Sequence, residues 1–149
     1  MSGNDSARTY PTRPYLAVSA AIFREGRVLI VRRARSPAHC LYTLPGGGVE
    51  LGETLEQAVV REVREETALD VAPVGLVGFR QAIAHDGGRV ERHFVILPFA
   101  ARFIGGEISL NDELAEAHWL KPAELSGFQT TEGLFDIVVA AEARLAARP

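Results

Sequence analysis

Three carboxylates stand where a helix should be apolar. Glu53 to Ala68 holds strong helix formers and no internal Gly or Pro. At about 100° per residue, Leu55, Ala58, Val59 and Val63 form one stripe. Glu62 falls in the middle of that stripe, Glu66 beside it and Glu65 at its border, while Glu56, Gln57, Arg61 and Arg64 turn the other way. Burying unpaired carboxylates is costly, and three within one helical turn repel each other. Something positive must therefore sit among them. Arginine side chains could do this. So could divalent metal ions such as Mg2+ or Mn2+, which take carboxylate oxygens and bind substrate phosphates as well. The helix by itself leaves both open.

The residues before it narrow the choice. Pro45-Gly46-Gly47-Gly48 leads into Val49-Glu50-Leu51-Gly52, and so many glycines exclude a helix and permit close backbone approach. From Gly47 there are five residues to Glu53, seven more to Arg61-Glu62-Val63, one more to Glu65-Glu66, and then Thr67-Ala68-Leu69. This 23-residue pattern resembles the signature box of the Nudix hydrolase family, with six fixed residue types at the family's separations. Ala68 stands where the family usually has Gly, at the end of the helix where a left-handed turn is expected. No carboxylate is lost by that departure.

The resemblance implies roles residue by residue. Glu62, Glu65 and Glu66 match metal-binding glutamates, Glu53 a glutamate that supports the site, and the Gly46 carbonyl a backbone ligand. Arg61 matches an arginine that orients a box glutamate, a role compatible with ordinary pairing to Glu65 at i,i+4. The implied cofactor is Mg2+ or Mn2+, and the implied activity is hydrolysis of a phosphoanhydride. Metal ions neutralise a diphosphate and lower the pKa of bound water, and a carboxylate takes the proton. The base is either a box glutamate, here Glu65, or a glutamate on a later loop. Glu113 is the preferred loop candidate and Glu116 the second. Arg32, Arg33 and Arg80 are candidates for binding the substrate.

Substrate class is less legible. Where the family's ADP-ribose subgroup often has a proline this chain has Ala84, His85 and Asp86, and no tyrosine follows Tyr42. A nucleoside diphosphate linked to another moiety, such as ADP-ribose, is the first expectation. A house-cleaning pyrophosphatase acting on nucleoside triphosphates is the second. A non-catalytic nucleotide-binding Nudix domain is a third, although all the box glutamates are present. A plain α/β domain whose glutamates only build salt bridges is the blandest alternative.

The remaining elements must hold this segment in place. Tyr15–Phe23 and Val28–Val31 read as strands around a turn at Gly26, the second apolar enough to be covered on both faces. A short strand is expected at 42–44. Val71–Ile83 reads as one strand with possible bulges at Gly75 and Gly78, and Asp86-Gly87-Gly88 as a hairpin turn. Glu91–Phe103 reads as a strand that Pro98 marks as an edge or a bulge. Glu116–Leu120 is a short strand and Pro122–Leu125 a helical turn. Leu134, Ile137, Val138, Ala141 and Leu145 recur at helical spacing over 132–147, with Thr130 or Thr131 as cap. Phe23, Phe79, Phe103 and Trp119 are expected in the packing. The fold class is α+β, an α/β/α sandwich with a mixed sheet between helices.

Composition agrees with one domain, 15–149, after a polar, flexible tail at 1–14 that does not resemble a secretion signal. The chain has 149 residues, 47% hydrophobic and 23% charged, with net charge −3. That balance disfavours nucleic acid as a partner and favours a small nucleotide-type molecule. No apolar run reaches membrane-spanning length. Cys40 is alone, so no internal disulfide forms, which fits a cytoplasmic setting; it is expected as a small buried hydrophobe. His39, His85, His93 and His118 lack zinc-site spacing. A homodimer is the expected assembly by family resemblance, and Tyr10 or Arg13 could pack on a partner subunit.

Overall fold

The computed structural model describes residues 8–35 and 40–147. The strands are β1 (Tyr15–Arg24), β2 (Arg27–Arg33), β3 (Tyr42–Thr43), β4 (Gly46–Gly48), β5 (Asp70–Leu76), β6 (Arg80–Asp86), β7 (Arg89–Gly105) and β8 (Leu114–Leu120). The helices are α1 (Leu55–Thr67) and α2 (Leu134–Ala147), with a 3-10 turn at Pro122–Gly127 before the second. All eight strands join one mixed sheet of path β3-β2-β1-β7-β5, on which β4 pairs with β1, β6 with β7 and β8 with β2. β1 and β7 run parallel and the other pairs antiparallel.

The apolar run of β2 is explained by two cores. Leu29 and Val31 join Val18, Ala20 and Ile22 against Ala58, Val59 and Val63 of α1. The intervening Val28 and Ile30 join Ala21 against Leu134, Val138, Ala141 and Leu145 of α2. A strand covered on both faces needs apolar residues at every position. The expected α/β/α sandwich is therefore present, and among the described residues no helix is long and apolar enough to cross a membrane.

Four expectations need correction. Val71–Ile83 is two strands, not one: the chain leaves the ladder between Leu76 and Arg80, where Gly78 has φ 147°. The bulge expected at Gly75 is present as a register shift between Pro73 and Gly75. Pro98 marks neither an edge nor a bulge in β7, which runs in regular register with β1 through Ser19 and Pro98 and is the central strand between β1 and the β5/β6 pair. Its carbonyl accepts from Val77 N (2.9 Å), so the side lacking an N–H faces the gap between β5 and β6, where no ladder bond is forfeited. Phe79 lies in that gap and is 67% exposed rather than core. Cys40 is exposed, in a loop.

The segment 8–14 packs on its own chain. Tyr10 N donates to Glu91 O, Tyr10 Oη donates to Asp86, and the Arg89 and Arg13 guanidiniums stack over Tyr10 and Tyr15 respectively.

Candidate functional site

The site is built on α1, whose start is closed by a capping box. Thr54 Oγ1 accepts from Gln57 N (3.1 Å) and Gln57 Oε1 accepts from Thr54 N (2.9 Å). With the start fixed, the helical period decides which side chains face the sheet. Ala58, Val59, Glu62, Val63, Glu66 and Thr67 are the buried residues, and Glu62 and Glu66 are each only 1% exposed. Glu65 remains at the rim.

β4 makes room for these carboxylates. A Cβ at Gly47 would meet the Glu62 carboxylate at 2.5 Å, and Gly46 N donates to Glu66 Oε1 at 2.9 Å. Burial is the largest influence on Glu66 and pushes its pKa up to about 7; the Gly46 N–H pulls it down and the nearby Glu62 pushes it up.

Arg61 ties the box together. It grips Glu53 bidentately, with Nε to Oε2 at 2.6 Å and Nη2 to Oε1 at 2.8 Å. Nη1 donates to Glu62 Oε1 at 2.8 Å and Nη2 to Gly48 O at 2.9 Å. Glu65, the i,i+4 partner, lies farther away at 3.4 Å. Glu53 is held below the ordinary carboxylate range, chiefly by Arg61, and Arg61 is raised, chiefly by Glu53. Glu53 also caps the preceding turn, accepting from Glu50 N at 3.0 Å.

The loop before β8 is fastened to the end of α1. Ser109 N donates to Thr67 O (2.9 Å) and Asn111 N to Glu66 O (3.1 Å), while Asn111 Oδ1 accepts from Glu113 N (3.0 Å). Glu113 is thus brought to the α1 end of the sheet. Glu116 is engaged elsewhere. It accepts from Arg32 Nε (2.6 Å) and Tyr42 Oη (3.0 Å) and lies 2.9 Å from His118 Nε2. His118 first, then Arg32 and Tyr42, lower its pKa to about 2.

A cavity of about 210 Å³ opens on the α2 side of the sheet. Gly46 and Gly47 form one wall, so the same backbone that abuts the buried glutamates also lines the cavity. Arg33 and Arg80, two of the sequence's candidates for substrate binding, line it; the third, Arg32, held by Glu116, does not. Arg92 also lines it and was missed by sequence reasoning. Its signal was the alternation Arg92, Phe94, Ile96, Pro98, a cation in register with an apolar strand face.

Among the described residues no three acidic, histidine or cysteine side chains already converge as a metal cage. The donors nonetheless fit a hard cation: two deeply buried carboxylates and a third at the rim, on one helical turn, beside a strand without side chains. Of the histidines, His118 pairs with Glu116, His85 and His93 lie on β6 and β7, and His39 falls outside the described residues.

The NUDIX domain model matches residues 13–139. The chain belongs to the Nudix family. It is 36% identical over 106 residues to an ADP-ribose pyrophosphatase of Methanocaldococcus jannaschii, a match covering 71% of this chain and 61% of that protein. The match thus spans less than two thirds of that relative's length. It is 36% identical over 111 residues to the nucleoside triphosphatase NudI of Salmonella schwarzengrund, covering 70% of this chain and 74% of that one. A MutT Nudix hydrolase of Burkholderia pseudomallei has a similar structure, with TM-score 0.72 and 28% identity over 86% of this chain and 98% of that chain.

Proposed function

We propose that this Nudix protein is a metal-dependent hydrolase that cleaves the phosphoanhydride of a nucleoside diphosphate joined to another moiety, with ADP-ribose the first candidate. One observation carries the reading: Glu62 and Glu66 are buried side by side against Gly46 and Gly47, which also wall an arginine-lined cavity. Two carboxylates buried together make chemical sense when a cation joins them. Glu62, Glu65, Glu66 and the Gly46 carbonyl are the ligands assigned for Mg2+ or Mn2+, with Glu53 in support. When bound, such an ion neutralises diphosphate charge and makes water acidic enough to attack.

The chain's own residues supply the rest. Arg61 fixes Glu53 and Glu62 against the Gly48 carbonyl, so their oxygens do not have to be ordered when substrate arrives. Glu65, at the rim and open to water, is the first candidate to accept the proton of the attacking water, and Glu113 the second. Arg33, next to the β3–β4 end of the cavity, is placed to meet a phosphate. Glu116 is a poor base, because three donors surround its carboxylate.

The archaeal relative's name favours ADP-ribose, and the Salmonella relative's name supports nucleoside triphosphates as the second reading. The test is product chromatography after incubation with Mg2+ or Mn2+ and a panel of ADP-ribose, NADH, dinucleoside polyphosphates, sugar nucleotides and nucleoside triphosphates. Turnover of ADP-ribose to AMP and ribose phosphate, lost in Glu66→Gln, is the expected result. Pyrophosphate release from triphosphates alone would move the assignment to the second reading. No turnover with metal binding intact would leave a nucleotide-binding domain.

A further inference from the structure

We infer that Arg92, together with Arg80, forms an oxyanion subsite that selects molecules bearing a second phosphate or carboxylate, remote from the diphosphate. The inference rests on the hydrolase reading for the position of the diphosphate, and within that substrate class it favours members with a further anionic group over ADP-ribose, which has none.

The first support is an unmet electrostatic demand. Three arginines, 33, 80 and 92, line the cavity, and the carboxylate among its lining residues is Glu132, which is exposed. Among the described residues, none of the three has an ion-pair partner within salt-bridge distance. Among the described residues, Arg92 Nη1 and Arg33 Nε are buried atoms with no hydrogen-bond partner. Around Arg92 the cavity floor is apolar, with Ala82, Phe94 and Ile96. A guanidinium donor buried in such a place is costly unless an acceptor arrives, and it binds a planar or tetrahedral oxyanion through parallel N–H groups.

The second support is distance. β4 pairs with β1, β1 with β7 and β7 with β6, and Gly47, Val18 and Leu97 stand in one row. Arg80 lies opposite Ile96 on β6, three strand spacings from β4, or roughly 14 Å. Arg92 lies five residues along β7 from Leu97, roughly 17 Å along the strand. These are backbone separations that a long arginine side chain shortens, but Arg92, also two strands across from β4, still stands farther from the glutamates than two phosphates joined by one bridging oxygen can span. Arg33 is the cationic side chain at the near end; Arg80 and Arg92 face whatever the diphosphate is attached to. An anionic group on that remote moiety satisfies both.

Matched pairs test this directly. NADPH differs from NADH by one phosphate, and UDP-glucuronate from UDP-glucose by one carboxylate. Calorimetric titration in EDTA measures binding without turnover, and hydrolysis of the same compounds is measured separately with Mg2+. In at least one pair the anionic member is expected to bind about tenfold more tightly or better, and the pair that shows it names the anion. Arg92→Gln is expected to bring that ratio close to one, Arg92→Lys to retain part of it, and Arg80→Gln to reduce it. Thermal melts confirm that each variant is folded. Equal affinities within both pairs, or no binding of any member, would overturn the subsite. So would an equal loss for both members in Arg92→Gln, which would put that side chain on the shared diphosphate. Turnover without discrimination would sink the subsite and leave the hydrolase reading. Discrimination without turnover of these four compounds would support the subsite and leave the hydrolase reading to the wider substrate panel.

Discussion

The Glu62 carboxylate fills the space that a side chain at Gly47 would need, 2.5 Å from where the Cβ would stand. The glycine is therefore required by its lack of a side chain, since Gly47 is not among the positive-φ residues. The clash would fall on the far end of a flexible side chain, so the fold can absorb it by moving the carboxylate. Gly47→Ala is expected to lower Mg2+-dependent turnover by about 100-fold or more while the melting temperature falls by only a few degrees. Initial rates across Mg2+ concentrations, beside a thermal melt, check this. Turnover within a few-fold of wild type would show that the position of Glu62 does not matter.

Glu66→Gln separates the charge of the second buried carboxylate from its shape. Most activity should go, with losses on the order of 100-fold or more, because one charged ligand is deleted. Glu113→Gln should cost less, since that loop residue is a secondary candidate. The reverse ranking would make Glu113 the dominant base.

The same residue predicts a pH dependence. Its folded pKa, about 7, is raised by burial above the ordinary 4.5 of a glutamate. The folded state therefore holds this proton more tightly than the unfolded chain does. Its contribution to stability is fully present below about 4.5 and is lost as pH rises through about 7. In EDTA, wild type should lose stability between pH 5 and pH 8, and Glu66→Gln should flatten that loss. Metal binding should release a proton below pH 7. Parallel curves for the two proteins in EDTA would show that Glu66 does not carry the dependence.

What could be read from the sequence was local. Three carboxylates on an apolar stripe and a glycine-rich lead-in mark the phase of α1, and Glu62 and Glu66 are buried as that phase requires. The long run of β2 signalled a strand covered twice, and two cores cover it. What could not be read depends on distant partners. The helical wheel turns Arg61 away from Glu62, but a long side chain can bend back, and it does so to reach Gly48 O and Glu53. Glu116 looked like a loop base until β8 placed it opposite Arg32, 84 residues away. Pro98 looked like an edge because the gap it faces is made by another segment, residues 77–79. Arg92 carried a signal only in its alternation with Phe94 and Ile96, and nothing local says that this face lines a cavity.

Removing Arg61 should hurt stability before it hurts chemistry. The guanidinium compensates Glu53 and Glu62, whose side chains are 13% and 2% exposed. Arg61→Ala leaves those carboxylates short of a partner in the metal-free protein, at a cost of about 2 kcal/mol after allowing for the partial exposure of Arg61. Saturating Mg2+ should recover part of that loss, because the cation replaces some of the missing charge. Arg61→Lys should fall between, since an ammonium cannot reproduce the fork onto Glu53. Urea unfolding with and without Mg2+ measures all three. A variant as stable as wild type in EDTA would show that the network contributes nothing to folding.

Ala68 closes α1 in the left-handed region, at φ 65° and ψ 12°, with its N–H donating to Arg64 O. A side chain in that conformation costs roughly 1 kcal/mol, and glycine pays no such penalty. Part of the gain from Ala68→Gly is returned through the greater freedom of glycine in the unfolded chain. The net expectation is stabilisation of about 0.5 kcal/mol, or roughly one to two degrees in melting temperature for a chain of this size. Activity should be unchanged, because Ala68 contributes no side-chain ligand and the turn already has the geometry that glycine would adopt. A drop in melting temperature would show that the Ala68 methyl packs well enough to outweigh the backbone strain.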